Sequence, residues 1–130
     1  RNRSYAFSVS TSSDLYSFQN KKIVYDKVIT NIGGAYNSNT GIFTCPSPGT
    51  YVFTWSTMSI SSSRACYAYI YHNGNQLLES YSVEANGGYY EVASNTIVLT
   101  LTVGDHVWIQ TATGTHCYGY PYTAFSGWKT

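Results

Sequence analysis

Apolar and polar residues alternate with period two along most of this chain, a pattern that predicts β-strands rather than helices. The clearest case is residues 51–60, where Tyr51, Phe53 and Trp55 would share one face of a long strand. Turn residues such as Asn73-Gly74 separate the runs. The predicted strands cover residues 5–9, 23–29, 41–45, 51–60, 65–72, 76–83, 91–103, 106–110 and 123–128. Roughly eight to ten strands at this spacing are typical of a two-sheet sandwich or jelly roll.

The composition supports this all-β prediction. The chain has 130 residues, of which 14 are Tyr and 11 are Gly, and only 10% are charged. Tyrosine and β-branched residues suit a pleated, half-buried sheet. We expect a single domain over residues 1–130, with residues 1–4 as a flexible N-terminal end. A chain of this length buries about two-thirds of its unfolded surface, so it needs neither metal nor disulfide to hold a core.

The distribution of charge argues against nucleic acid and membrane partners. The formal net charge is +1 and the only adjacent basic pair is Lys21-Lys22, so no basic patch is predicted. No apolar run approaches the ~18 residues of a membrane span, so we expect no membrane insertion. The chain starts without Met and without a signal-like segment, which suggests a processed or excised piece.

Three cysteines, Cys45, Cys66 and Cys117, form an odd number at wide spacing. Because no CxxC pair is present, zinc and thioredoxin-type chemistry are not indicated. At most one intrachain disulfide can form, and the sequence leaves open whether Cys66 pairs with Cys117 or all thiols stay free. We predict that Cys45 is a buried free thiol.

Several short motifs, in order along the whole chain, resemble one known family. They are AFSV at 6–9, YN at 36–37, TGIFTCP at 40–46, PGTYVF at 48–53, NG at 73–74, the run 93–101, GDHVWIQ at 104–110 and FSGW at 125–128. Together they resemble the globular head of complement C1q. The resemblance implies a ten-stranded jelly-roll sandwich of the tumour necrosis factor type, trimeric and secreted. The bulky residues expected in its core are Phe43, Tyr51, Phe53, Trp108 and Phe125.

The chain departs from the family pattern in three places. It has no Gly-X-Y tract, so it looks more like the stalkless heads that invertebrates secrete as immune lectins. Trp128 stands where the family usually ends in aliphatic residues. Some members pair a cysteine at the position of Cys66 with one on the following strand, but residues 76–83 contain none, so that bridge does not carry over.

The supply of catalytic groups is thin. Three His, three Asp and three Glu stand in no spacing typical of an active site, and His106 is interpreted as an ordinary strand residue. The sequence therefore predicts a binding module and not an enzyme.

Glu84 and Glu91 are the candidate metal ligands. They resemble positions that help to hold calcium at the apex of complement heads, and carboxylate oxygens suit Ca²⁺. Symmetry copies of Glu91 near a trimer axis would repel one another without a cation. The alternative is that both are solvated turn carboxylates.

The segment from Thr115 to Tyr122, here called the aromatic loop, is the candidate ligand site. Glycine and proline between its tyrosines disfavour a strand. The candidate residues are His116, Tyr118, Tyr120 and Tyr122. Tyrosine offers an apolar face and a hydroxyl, which suits the C–H faces and hydroxyl edges of a sugar. The alternative is that the rings contact a neighbouring subunit or cover the end of the sandwich.

Two further features carry weaker expectations. Tyr67, Tyr69 and Tyr71 alternate along one strand and share a face, interpreted as sheet surface or subunit contact, while the opposite face of that strand should enter the core. Arg64 could pair with an acidic sugar or a lipid phosphate, or be an exposed turn residue.

These observations predict a secreted, non-catalytic pattern-recognition protein. It would bind microbial or cell-surface glycans, microbial polysaccharide or lipopolysaccharide among them, as a homotrimeric lectin whose weak sites gain avidity. The alternative is a structural or matrix trimer that interacts with proteins or calcium mineral.

Overall fold

The described residues form ten strands, which confirm the all-β jelly-roll prediction. The computed structural model describes residues 4–15, 20–59, 65–83, 92–112 and 117–130. The strands are β1 (Ala6–Ser10), β2 (Lys27–Ile32), β3 (Tyr36–Asn37), β4 (Ile42–Thr44), β5 (Gly49–Met58), β6 (Ala65–His72), β7 (Asn75–Val83), β8 (Val92–Leu101), β9 (His106–Thr111) and β10 (Ala124–Lys129). No described segment forms a helix long and apolar enough to cross a membrane.

The strands make two five-stranded antiparallel sheets. The first sheet has the order β2-β1-β10-β5-β8, and the second has the order β3-β4-β9-β6-β7. The turn predicted at Asn73-Gly74 joins β6 to β7, with φ of 51° and 86° at its two central residues, as a tight hairpin turn requires.

Aromatic side chains from both sheets fill the core. Phe7, on the first sheet, lies 5.6 Å from Phe43 and 4.9 Å from Phe125 between ring centroids. Tyr51, Phe53, Trp55 and Phe125 are buried as the period-two pattern predicts. Cys45 is the free, buried cysteine that the sequence predicts.

Two local expectations are wrong. Trp108 does not join the core: its β9 neighbours Val107 and Ile109 are buried, so alternation turns Trp108 to the outer face of the second sheet. The run 23–29 is not one strand either. Ile23 and Tyr25 are fully buried but lie outside the named strands, with the Ile23 amide donating to the carbonyl of Ile109 in β9, and β2 begins only at Lys27.

The strand registers place several chain connections at one end of the sandwich, here called the loop end. In the first sheet Ser10 pairs with Ala124, and Met58 pairs with Val92. Isolated bridges connect Cys117 to Leu15 and to Ser59, just beyond β1 and β5. The loop end is therefore formed by chain segments that are distant in sequence.

Candidate functional site

The described part of the aromatic loop, from Cys117 onward, is tied firmly to the loop end. Cys117 forms a disulfide with Cys66 at the start of β6. Its backbone also exchanges two hydrogen bonds with Leu15, at 2.7 and 2.9 Å, and the Tyr118 amide donates to the carbonyl of Met58 at 2.9 Å. Two strands and the segment after β1 thus hold the loop in place.

Gly119 lets the aromatic loop pack closely against the segment after β1. A Cβ atom at this position would lie 2.4 Å from the carbonyl oxygen of Ser13, so a larger residue does not fit. The Gly119 amide donates to Oδ1 of Asp14 at 2.7 Å, and the next amide, of Tyr120, donates to the carbonyl of Thr11 at 2.7 Å. Backbone hydrogen bonds therefore fix the loop independently of its tyrosine side chains.

The three predicted tyrosines of the loop differ in exposure. Tyr120 and Tyr122 are 53% and 48% exposed, whereas Tyr118 is half-buried with its ring centroid 5.7 Å from that of Tyr122. The ammonium group of Lys27 lies 4.5 Å from the centroid of the Tyr120 ring, a cation–π contact. Two rings on a fixed loop therefore face solvent at the loop end.

An open cleft of about 330 Å³ lies beside the aromatic loop. Its lining residues are Thr11, Ser13, Leu15, Val24 and Asp26. The first three belong to the segment that hydrogen-bonds or contacts the loop backbone, so cleft and loop form one surface. Its lining combines apolar side chains with hydroxyls and one carboxylate, the mixture found in sites for small polar ligands.

Asp26 brings a fixed negative charge to the cleft. Its Oδ1 accepts a hydrogen bond from the Ser12 amide at 2.8 Å, and its Oδ2 accepts one from the Ser12 hydroxyl. The hydroxyl and then the amide hold the pKa of Asp26 below its usual value. The carboxylate is therefore ionised at neutral pH and can accept further hydrogen bonds from a ligand.

The remaining predicted site residues, His116, Arg64, Glu84 and Glu91, lie outside the described residues. Each adjoins a described residue at an end of a strand or at the disulfide: Cys117, Ala65, Val83 and Val92 respectively. Among the residues that the structure describes, no group of three or more His, Cys, Asp or Glu is placed to hold a metal ion.

Sequence reasoning missed the cleft. Asp14 and Asp26 belong to no sequence motif, and the contact of Asp14 with the aromatic loop spans 105 residues. The sequence leaves the Cys66–Cys117 pairing open as one of two possibilities, and the structure shows that this disulfide attaches the loop to β6.

Comparison with known proteins defines the family. The C1q domain model matches residues 6–128, and the chain therefore belongs to the C1q domain family. It is 39% identical over 99 residues to complement C1q tumor necrosis factor-related protein 3 of Mus musculus, covering 76% of this chain and 40% of that protein. Caprin-2 of Danio rerio is 36% identical over 109 residues, covering 81% of this chain and 12% of that protein. The chain thus spans well under half the length of these relatives.

Solved structures share the fold. The globular domain of zebrafish complement 1qA protein superposes with a TM-score of 0.77 at 24% identity, covering 95% of this chain and 94% of that one. Murine APRIL, at pH 8.0, superposes with a TM-score of 0.76 at 10% identity, covering 98% and 100%. At these identities the likeness concerns the jelly roll alone.

Proposed function

We propose that the protein is a secreted, trimeric, non-catalytic recognition domain that binds glycans of microbial or cell surfaces at its loop end. The observation that carries this proposal is the pair of exposed rings, Tyr120 and Tyr122, on a loop that a disulfide and backbone hydrogen bonds hold beside the cleft. A fixed ring can stack on a sugar without first losing conformational freedom. The carboxylate of Asp26 can accept hydrogen bonds from sugar hydroxyls.

The outer face of the first sheet supports self-association. Strand pairing aligns an apolar row across all five strands: Ile32, Ala6, Trp128, Val52 and Val98. The next row carries only hydroxyls: Thr30, Ser8, Ser126, Thr54 and Thr96. Neither of these two rows contains a charged residue, and charge depletion is typical of the centre of a subunit interface.

Two further points support secretion and a role in recognition. The Cys66–Cys117 disulfide is of the kind that persists in oxidising, extracellular surroundings. Members of the C1q and tumour necrosis factor-related family are in general recognition or signalling proteins. A trimer would present three copies of a shallow site and gain avidity from them.

A glycan array tests the proposal. Wild-type protein should give a defined carbohydrate profile, and Tyr120→Ala/Tyr122→Ala should weaken binding at least about tenfold, or ~1.4 kcal/mol, because two stacking rings are lost. The matched Tyr120→Phe/Tyr122→Phe variant keeps the rings and should retain most of the binding. Loss of the oligomer in the alanine variant would instead identify the loop as a subunit contact. If wild-type protein binds none of the sugars on the array, the alternative of a structural or matrix trimer is favoured.

Two measurements test the role proposed for Glu84 and Glu91: the same glycan array and thermal melting, each run with calcium and with EDTA. If their carboxylates hold Ca²⁺ at the trimer apex, EDTA should lower both the thermal midpoint and glycan binding, because a bound ion stabilises only the folded state. A thermal midpoint indifferent to both EDTA and added calcium would contradict the calcium site.

A further inference from the structure

The outer face of the second sheet carries an arrangement of rings and polar groups that the proposed function does not use. Pairing of β6 with β7 and β9 aligns three rows of side chains on this face. The rows are Trp108, Tyr71 and Gln76; Gln110, Tyr69 and Glu79; and Tyr67 with Tyr81. These eight residues are here called the aromatic platform. A pair of rings thus lies on each side of the middle row, in which Gln110 and Glu79 flank Tyr69.

The rings of the aromatic platform hold one another in place. Tyr71 and Trp108 are stacked with centroids 5.7 Å apart and planes within 6°, and the centroids of Tyr67 and Tyr81 are 4.8 Å apart. The tyrosines of β6 are half-buried on the outer face of the sheet. The residues between them, among them Ile70, are buried and anchor the strand in the core. The aromatic platform is therefore rigid, as a site built on strands is expected to be.

The charges at the aromatic platform balance. The ammonium group of Lys22 lies 4.6 Å from the centroid of the Trp108 ring. On the opposite strand, the carboxylate of Glu79 hydrogen-bonds with Tyr69 and thereby raises the pKa of that hydroxyl. One cation and one carboxylate, each with an aromatic partner, leave a face of no net charge, which complements a neutral ligand and not a polyanion.

Amide groups supply hydrogen bonds between the rings. Oε1 of Gln76 accepts from the Tyr71 hydroxyl at 3.0 Å, and Oε1 of Gln110 accepts from Nε1 of Trp108 at 3.0 Å. These bonds orient both amides and leave their NH₂ groups as donors for a ligand oxygen. Tyr67 to Tyr71 spans roughly 13 Å at about 3.3 Å per residue, longer than a single sugar ring.

We propose that the aromatic platform is a second carbohydrate site, which binds a neutral polysaccharide chain. The rings would stack on the C–H faces of consecutive sugars, and the amides and Glu79 would bond their hydroxyls. A second copy of this chain is the less suitable occupant, because the uncharged apolar row lies on the opposite face of the sandwich, on the first sheet. The proposal does not depend on the aromatic loop.

Affinity electrophoresis of the whole protein in gels that contain dextran, mannan or laminarin tests the platform, with dextran sulfate as the anionic match for dextran. We expect retardation by at least one neutral polymer that exceeds retardation by dextran sulfate. Tyr69→Ser/Tyr71→Ser should weaken binding at least about tenfold, which corresponds to ~1.4 kcal/mol, while Tyr69→Phe/Tyr71→Phe should retain it.

A second variant distinguishes loss of the binding site from loss of the fold. Gln76→Glu/Gln110→Glu keeps both accepting oxygens and all rings but removes the NH₂ donors, so it should fold normally and still bind several-fold more weakly. Thermal melting and oligomer size are measured for every variant.

The loop variant Tyr120→Ala/Tyr122→Ala separates the two sites: it keeps the whole platform and should still be retarded by a neutral polymer, even where the loop contributes to wild-type binding. Loss of that binding in the loop variant alone would overturn the platform and support the loop site. Stronger retardation by dextran sulfate, or no retardation by any neutral polymer, would also overturn it.

Discussion

Asp105 joins the turn at Asn73-Gly74 to the turn between β8 and β9. Its Oδ1 accepts hydrogen bonds from the side-chain NH₂ group of Asn73 at 3.1 Å and from the Thr102 hydroxyl at 3.2 Å. Its Oδ2 accepts from the Thr102 backbone amide at 3.0 Å and lies 3.1 Å from Nε2 of His72. The Thr102 amide, followed by Asn73 and His72, holds the pKa of Asp105 well below its usual range.

Replacing this carboxylate should destabilise the protein in a pH-dependent way. Asp105→Asn puts an NH₂ group where an oxygen accepts, so we expect a thermal midpoint a few degrees lower at neutral pH. Because the folded pKa is lowered, the stabilising contribution is complete above the unfolded value of about 4 and declines as the pH falls below it. The gap between wild type and variant in thermal melts should therefore narrow toward about pH 2. His72→Gln, which spares the bonds to Thr102 and Asn73, should keep this acid dependence, and superimposable melts of Asp105→Asn and wild type at neutral pH would refute the role of the carboxylate.

At the scale of the elements, the disulfide decides the position of the aromatic loop. Cys66 begins the buried face of β6, and Cys117 lies between Leu15 and Ser59. The Cys66→Ala/Cys117→Ala variant should lose about 2–5 kcal/mol of unfolding free energy, as is typical when a native disulfide is removed. It should also lose glycan binding at the loop.

Denaturant unfolding with and without dithiothreitol measures this effect. Wild type and Cys45→Ala, which keep the disulfide, should both be destabilised by reductant, whereas Cys66→Ala/Cys117→Ala should be indifferent to it. Wild-type curves unchanged by reductant would show that the disulfide contributes nothing to stability.

The period-two pattern predicted most elements because alternation and burial have the same cause in a half-buried sheet. It placed the tyrosines of β6 on one face correctly. The expectation of Trp108 in the core was wrong because it rested on the size of the side chain, whereas the alternation of β9 directs the ring outward. It also predicted a strand at residues 23–26, where Ile23 and Tyr25 enter the core but lie outside the named strands of both sheets. The cleft and the contact between Asp14 and Gly119 are formed by chain segments that are distant in sequence, so no local sequence pattern predicts them.

At the scale of the whole molecule, the outer faces of the two sheets differ in the side chains that they carry. The outer face of the first sheet carries the uncharged apolar and hydroxyl rows, and the outer face of the second carries the aromatic platform. Association through the first sheet would leave the platform and the loop end of every subunit open to ligand. The two outer faces are therefore expected to respond differently to the same substitution.

Val98→Lys tests the proposed subunit face, with Val103→Lys as its matched control. Val98 is 61% exposed in the apolar row and Val103 is 65% exposed in the turn after β8, so the same charge enters at similar exposure on and off the face. An unpaired ammonium buried between subunits should weaken association at least about tenfold, or ~1.4 kcal/mol, while the isolated domain keeps its fold. Sedimentation velocity should show smaller species for Val98→Lys alone, with unchanged far-ultraviolet circular dichroism. If both variants keep the wild-type size, the subunits do not meet through the first sheet; if both dissociate, the effect belongs to net charge and not to this face.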